Sequence, residues 1–319
     1  MSVTQTATAA DVRAAAARIA PYVRRTPVLD LGKTTRRAYP WEIVLKLESL
    51  QVTGSFKTRG ALNTLLTLSP EVLKRGVVTA SGGNHGLGVA YAARALGARA
   101  TVFVPETAPA VKCERIAAWG AEVRKVGQEY AIAAAAADEE ARRSGRAYVH
   151  AYADAPVIAG QGTTALEFVE DAGEPLDYML VAVGGGGLIS GVGAFLAELP
   201  YVTLVGVEPE GAATLHAALA AGGPVDIHRL DSVAADALGA RRVGSLNYAL
   251  AKQRVARVEL VTDEEIVAAQ RWLWEEVQLV AELGAAAALA GLLSGKARVP
   301  DGARVGVLVC GGNATGIPA

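Results

Sequence analysis

Four short loops in this chain gather residues able to hold an anion, present an amine or orient a flat ring. The most demanding is Gly184-Gly185-Gly186-Gly187, set between the apolar run Tyr178–Val183 and the helical stretch Leu188–Leu199. Consecutive glycines lose more backbone entropy on folding than any other residues, so a specific conformation must offset that loss. At a strand-to-helix junction they let backbone N–H groups converge on an anion at the positive end of a helix. A tightly packed turn is the plainer alternative. Neither G-x-G-x-x-G nor G-x-x-x-x-G-K-[ST] occurs, so a phosphate is read here without a nucleotide fingerprint.

The second loop is Thr53-Gly54-Ser55-Phe56-Lys57-Thr58-Arg59-Gly60, leading into the apolar helix Ala61–Leu68. A lysine held beside an aromatic ring and stripped of water has a lowered pKa and becomes a nucleophile able to form a Schiff base. From these residues alone, a solvated first-turn lysine is the simpler reading. The third loop, Ser81-Gly82-Gly83-Asn84-His85-Gly86, again joins a strand to a helix and offers Ser, Asn and backbone donors to a carboxylate or ring oxygen. An ordinary helix cap would need only one such side chain. The fourth, Cys310-Gly311-Gly312-Asn313, follows the last apolar run, where a lone Cys is more often packing than chemistry. Other chemistries are disfavoured. The four histidines have no Cys partners at zinc-ligand spacing, and no G-x-S-x-G elbow is present.

These loops need strands and helices to carry them, and the pattern supplies both. Apolar, β-branched runs recur at Ile43–Leu47, Val77–Thr79, Thr101–Val104, Tyr178–Val183, Thr203–Val207 and Val305–Cys310. Between them lie Ala-rich helical stretches such as Leu87–Leu96, Val157–Val169 and Glu264–Val280. Strands apolar on both faces, separated by helices, predict an α/β fold of parallel sheets covered by helices. Helix stops are expected at Gly97, Gly120 and Gly145, and starts at Ser69 and Thr262. The chain has 319 residues, 51% of them apolar, which fits one or two lobes and excludes a disordered chain. Its 31 basic and 32 acidic residues leave a net charge of −1 and no basic block, so no nucleic-acid partner is expected. Two cysteines, Cys113 and Cys310, make no disulfide framework and point to a reducing, cytoplasmic setting. Met1–Ala10 shows no leader pattern, and stretches such as Ala285–Leu293 are too short to span a membrane.

Taken together and in this order, Ser55-Phe56-Lys57-x-Arg59-Gly60-Ala61, Ser81–His85, Gly184–Gly187 and Cys310–Asn313 resemble the loops of the fold-type II pyridoxal phosphate enzymes. Within that group the chain is similar to the serine/threonine dehydratase and serine racemase branch. The likeness runs from about Ile19 to Asn313 and includes Val157–Thr163 and Val207-Glu208-Pro209. The resemblance implies a two-lobe, tryptophan synthase beta-like fold. Residues 1–66 and 148–319 would form the large cofactor-binding lobe, and residues 67–147 a smaller lobe that closes over the substrate. It implies pyridoxal 5'-phosphate held on Lys57, with Phe56 flanking the ring and Asn84 at the ring hydroxyl. Gly184, Gly185, Gly186, Gly187 and Leu188 would cradle the phosphate, and Cys310 would face the pyridine nitrogen. The substrate carboxylate would sit on Ser81, Gly82, Gly83, Asn84 and His85. A homodimer without the C-terminal regulatory domain of isoleucine-feedback threonine dehydratases is implied as well.

The implied activity is that of an ammonia-lyase removing water from L-threonine or L-serine to give a 2-oxo acid and ammonia. After the substrate displaces it, Lys57 can act as general base. A neutral thiol at the ring nitrogen stabilises a carbanion less than a carboxylate would, which favours expulsion of the β-hydroxyl. The alternatives are a serine racemase and a dehydratase of another 3-hydroxy amino acid such as 3-hydroxyaspartate. A β-replacement sulfhydrylase or a nucleotide-binding module is weaker still. Three positions depart from the branch pattern. Gly82 stands where racemases carry the serine that protonates the face opposite the lysine. Glu208 is followed by Ala212, Ala213 and Thr214, so a divalent-cation site is expected to be weak or lost and no metal is assigned. Glu282-Leu283-Gly284 replaces a common Glu-Pro.

Overall fold

The computed structural model describes residues 6–32 and 34–314, so the start of Met1–Ala10 and the outermost ends of the 1–66 and 148–319 segments lie outside the described residues. Its strands are β1 (Val28–Gly32), β2 (Glu42–Leu47), β3 (Val77–Ala80), β4 (Ala100–Val104), β5 (Glu122–Lys125), β6 (Ala147–Tyr148), β7 (Tyr178–Ala182), β8 (Thr203–Pro209), β9 (Val255–Val261) and β10 (Arg304–Val309). They form two sheets. One has the order β1-β2-β10-β7-β8-β9, the other β5-β4-β3-β6. Every pairing is parallel except β1 on β2, which is antiparallel with a bulge at Asp30/Gly32.

The inner parallel strands β3, β7 and β10 are buried on both faces because helices cover them, as their unbroken apolar runs require. The helix Leu283–Leu293 is apolar all round and buried from Gly284 to Leu292. Its small side chains let it lie close to the sheet. A Cβ at Gly291 would stand 2.9 Å from Val207 Cγ2 of β8. The expected helix stops hold: Gly97, Gly120 and Gly145 all adopt positive φ. The expected starts hold too, with Ser69 capping Val72 N and Thr262 forming a capping box with Glu265.

Each sheet has its own buried apolar clusters. The helix Lys57–Thr67 stands between the sheets. Its Ala61, Leu62 and Leu65 join the core of the four-stranded sheet, although the chain reaches it directly from β2 of the larger sheet. That helix begins four residues earlier than the apolar run at Ala61 suggested, so Lys57 opens its first turn. No helix among the described residues is long and apolar enough to cross a membrane.

Candidate active site

The four loops meet where strands end and helices begin. Phe56 N–H donates to Cys310 O (3.1 Å), Gly312 N–H donates to Gly54 O (2.8 Å), and Ser55 bridges Gly311. The lysine turn is thereby stitched to the segment that follows β10. From this base the Lys57 amine reaches the carbonyl of Ala151 (2.8 Å) and lies 5.2 Å from the centroid of the Phe56 ring. Burial pushes its pKa down to about 8, against the opposing pull of Cys310 and Glu282. The solvated-lysine reading fails here. The amine is enclosed and gives up its proton far more readily than a solvated lysine.

Ala151 is followed by Tyr152, whose ring packs on the glycine loop. A Cβ at Gly185 would sit 2.4 Å from the Tyr152 ring, and one at Gly187 would sit 2.9 Å from Tyr152 Cβ. Gly186 turns with φ +87° to cap the helix Gly187–Leu196. The first helical bond there is Ser190 N–H to Gly186 O (3.0 Å). The N–H groups of Gly187, Leu188 and Ile189 therefore have no partner within the helix, and they point out of its positive end. Thr214 Oγ1 donates to Gly184 O (2.6 Å), and Asn247 Nδ2 donates to Tyr152 O (2.8 Å), which hold the cradle from behind. This is a backbone pocket shaped for a phosphate, and side chains on the loop would fill it.

The Ser81–His85 loop opens a second helix, Asn84–Ala95, in the same way, with its first bond from Leu87 N–H to Gly83 O (3.2 Å). Ser81 Oγ accepts from Gly83 N–H (3.2 Å), which ties its oxygen into the loop. Gly82 has open space beside it, with only Val104 Cγ1 at 3.7 Å and Ala108 Cβ at 4.0 Å from an added Cβ. The His85 ring turns away from the cleft into the core, its Nε2 on Val149 O (3.0 Å), and burial pushes it down to about 3. What His85 can offer a carboxylate is its backbone N–H. Its imidazole is a neutral core group.

Asn84 Nδ2 donates to Glu282 Oε1 (2.7 Å), and Glu282 N–H donates to Gly311 O (3.1 Å). Burial pushes the Glu282 carboxyl up to about 7, although the Asn84 hydrogen bond opposes the shift. Cys310 is buried at the end of β10. Desolvation first, and then Glu282, push its thiol above its ordinary value, so it is neutral. Glu208 is also turned inward. Its carboxyl accepts from Leu215 N–H and His216 N–H (2.8 Å each), capping the helix Thr214–Ala221. No cluster of three or more metal-ligating side chains occurs among the described residues.

Several contributors were not legible in the residue pattern: Tyr152 and His150, Asn247, Thr214, and Glu282 as a partner of Asn84. His150 Nδ1 accepts from Tyr152 N–H (3.1 Å) and Ala153 N–H (3.0 Å), and its ring meets that of Tyr152 edge-on at 4.7 Å. The glycine run itself was the one clue to Tyr152. Four residues without side chains imply a bulky neighbour pressed against them.

Paired parallel sheets, an enclosed amine and a glycine cradle at a helix N-terminus define an α/β enzyme built around a phosphate-bearing group. The comparisons say which. Residues 19–311 match the family model described as pyridoxal-phosphate dependent enzyme. A biosynthetic L-threonine dehydratase of Mycobacterium leprae is 41% identical over 311 residues, covering 96% of this chain and 72% of that protein. The structure of a threonine deaminase from T.th. superposes with a TM-score of 0.90 at 36% identity, covering 98% of this chain and 100% of that one. A maize serine racemase gives 0.92 at 33% identity, covering 97% and 94%. The chain belongs to the pyridoxal-phosphate dependent enzyme family, and pyridoxal phosphate is its cofactor. An enclosed amine, a glycine cradle that side chains would obstruct and a neutral thiol are a fitting set of donors for that group.

Proposed function

We propose that this protein is an ammonia-lyase that removes water from L-threonine or L-serine, giving 2-oxobutanoate or pyruvate and ammonia. The observation that carries the reading is the Lys57 amine, enclosed against Ala151 and brought to a pKa of about 8 beside the glycine cradle. The curated relative named as a threonine dehydratase and the solved threonine deaminase support the same activity.

In this reading Lys57 Nζ anchors the cofactor, and Phe56 and Asn84 flank its ring. Backbone N–H groups of Gly184–Leu188 would hold its phosphate, and Cys310 would face its pyridine nitrogen. Bound there, pyridoxal phosphate supplies an electron sink that weakens the Cα–H bond of an amino acid. The Lys57 amine, about half neutral near pH 8, would take the α-proton of the bound amino acid. Backbone donors of Ser81–His85, at the positive end of their helix, hold the substrate carboxylate. The neutral Cys310 thiol would offer no charge to a protonated ring nitrogen, which would favour loss of the β-hydroxyl. Residues 67–147 would act as the lobe that closes over the substrate and excludes water, against residues 1–66 and 148–319. A cytoplasmic homodimer completes the reading.

Assays for 2-oxo acid and ammonia across a panel of β-hydroxy amino acids test the activity. L-threonine or L-serine should give equimolar products, whereas turnover of 3-hydroxyaspartate alone would overturn the substrate assignment. For Cys310→Asp, deamination should slow at least tenfold while the cofactor stays bound, as read by kcat and by absorbance of the bound chromophore. Deamination at the wild-type rate would make the thiol a packing group.

Racemisation needs a proton donor on each face of the substrate Cα. Lys57 serves one face, and Gly82 has no side chain for the other. An added Cβ meets no collision at Gly82, so Gly82→Ser should keep the wild-type melting temperature. Its D-serine output, followed on a chiral column, should rise at least tenfold over wild type. No rise would mean that the hydroxyl faces Val104 and Ala108 instead of the substrate.

A further inference from the structure

Three side-chain amides and carboxyls near the ring site form one chain of hydrogen bonds with a fixed direction. Arg115, exposed on the helix Ala110–Ala118, donates through its guanidinium to Asn313 Oδ1. Asn313 Nδ2 donates to Thr53 O (2.9 Å) and to Asn84 Oδ1 (2.6 Å), and Asn84 Nδ2 donates to Glu282 Oε1 (2.7 Å). A guanidinium only donates, and a main-chain carbonyl only accepts. Held between Arg115 and Thr53 O, the Asn313 amide can face one way only. Asn84 must then turn its oxygen to Asn313, which leaves its nitrogen for Glu282 and one N–H for a further acceptor.

Arg115 reaches this chain from outside. Its helix packs on the four-stranded sheet through Ile116, whereas Asn313 follows β10 of the six-stranded sheet. Lys112 on the same helix makes a separate ion pair with Asp236 that does not touch Asn84. The helix thus holds the opposite loops at two points, and only the Arg115 contact is hydrogen-bonded into the chain that ends at Asn84 and Glu282.

We propose that Arg115 is a positioning residue that, through Asn313, fixes the orientation in which Asn84 presents its amide to the cofactor ring. The inference rests on the proposed placement of Asn84 beside that ring. It makes the approach of the helix Ala110–Ala118 and the readiness of Asn84 a single event. Without Arg115, Thr53 O alone holds the Asn313 amide against rotation, and the orientation in which Asn84 meets the ring loosens with it.

The test is a double-mutant cycle on the dissociation constant of pyridoxal phosphate, with the absorbance of the bound chromophore recorded alongside. Asn84→Ala should weaken cofactor binding about tenfold and shift the absorbance, the loss of roughly one hydrogen bond. Arg115→Met should weaken binding about three- to tenfold and shift the absorbance in the same direction, yet have almost no further effect in the Asn84→Ala background. Asn313→Asp, which keeps the arginine contact but cannot donate to Asn84, should behave like Arg115→Met. Lys112→Met should act equally in both backgrounds. If Arg115→Met and Asn84→Ala simply multiply, or if Lys112→Met shows the same non-additivity as Arg115→Met, the relay is wrong and Arg115 only docks the helix. If Asn84→Ala alone changes neither affinity nor absorbance, the ring placement of Asn84 fails, and the relay falls with it.

Discussion

Lys57→Ala should bind pyridoxal phosphate without a covalent link and form 2-oxo acid more than about 10⁴-fold more slowly than wild type. The change removes the covalent anchor and the general base together. Borohydride treatment of the wild-type holoenzyme, followed by peptide mapping, should place the reduced cofactor on the peptide containing Lys57 alone. Recovery on another lysine would sink the assignment. The same enclosure sets a pH signature. The reactive form is the neutral amine, and burial moves its midpoint from 10.5 to about 8. Reloading of the cofactor-free enzyme should therefore quicken as pH rises through about 8 and level off above it. A rate still climbing towards pH 10 would mean a solvated lysine.

Arg59→Met should destabilise the protein by about 3–5 kcal/mol, the usual cost of stranding buried charge. Arg59 is fully buried two residues beyond Lys57, with Nε and one amino group on Glu48 (2.8 and 2.7 Å) and both amino groups on Glu167 (2.7 Å each). Lys46 completes a neutral quartet through Glu167 (2.9 Å) and Thr26 O (2.7 Å). Burial alone would raise the Glu167 carboxyl, yet the hydrogen bonds from Arg59 hold it below its ordinary value. Methionine fills the space but leaves two carboxylates facing one ammonium. Urea unfolding should show a lower midpoint at unchanged slope, and adding Glu48→Gln should recover part of the loss. A midpoint equal to wild type would mean that water enters and solvates the site. Because the quartet sits under the first turn of the helix Lys57–Thr67, the double variant also reports whether a restored fold restores the lysine.

The parts of the fold that were legible are those whose cost or burial leaves a mark on local sequence. Strands β7 and β10 read as apolar runs because both faces are buried, and the four glycines marked a place where a specific backbone conformation or a close neighbour must offset their entropy. Edge strands left no such mark. β5 is Glu-Val-Arg-Lys with both ends exposed, and β9 carries Arg257 and Glu259 on a half-buried edge. The start of the helix Lys57–Thr67 was misplaced because Lys57, Thr58 and Arg59 look like solvent residues. Arg59 is buried against Glu167, 108 residues away, and Thr58 against Thr53 of the preceding turn. Distance in sequence hid the site's connections for the same reason: Asn84 and Glu282 are 198 residues apart. His85 looked like a ligand by its place in a polar loop, and only the fold shows its ring against Val149.

The partition of L-serine between pyruvate and D-serine tests the central claim most directly. Elimination needs Lys57 and a donor for the leaving hydroxyl, whereas racemisation also needs a hydroxyl on the face where this chain has Gly82. A positioned general acid contributes about 10²–10⁴ to such a proton transfer. The wild-type holoenzyme, followed simultaneously by pyruvate release and chiral chromatography, should therefore form pyruvate at least 100-fold faster than D-serine (roughly the lower end of that range). D-serine appearing at a rate comparable to pyruvate would contradict the dehydratase assignment.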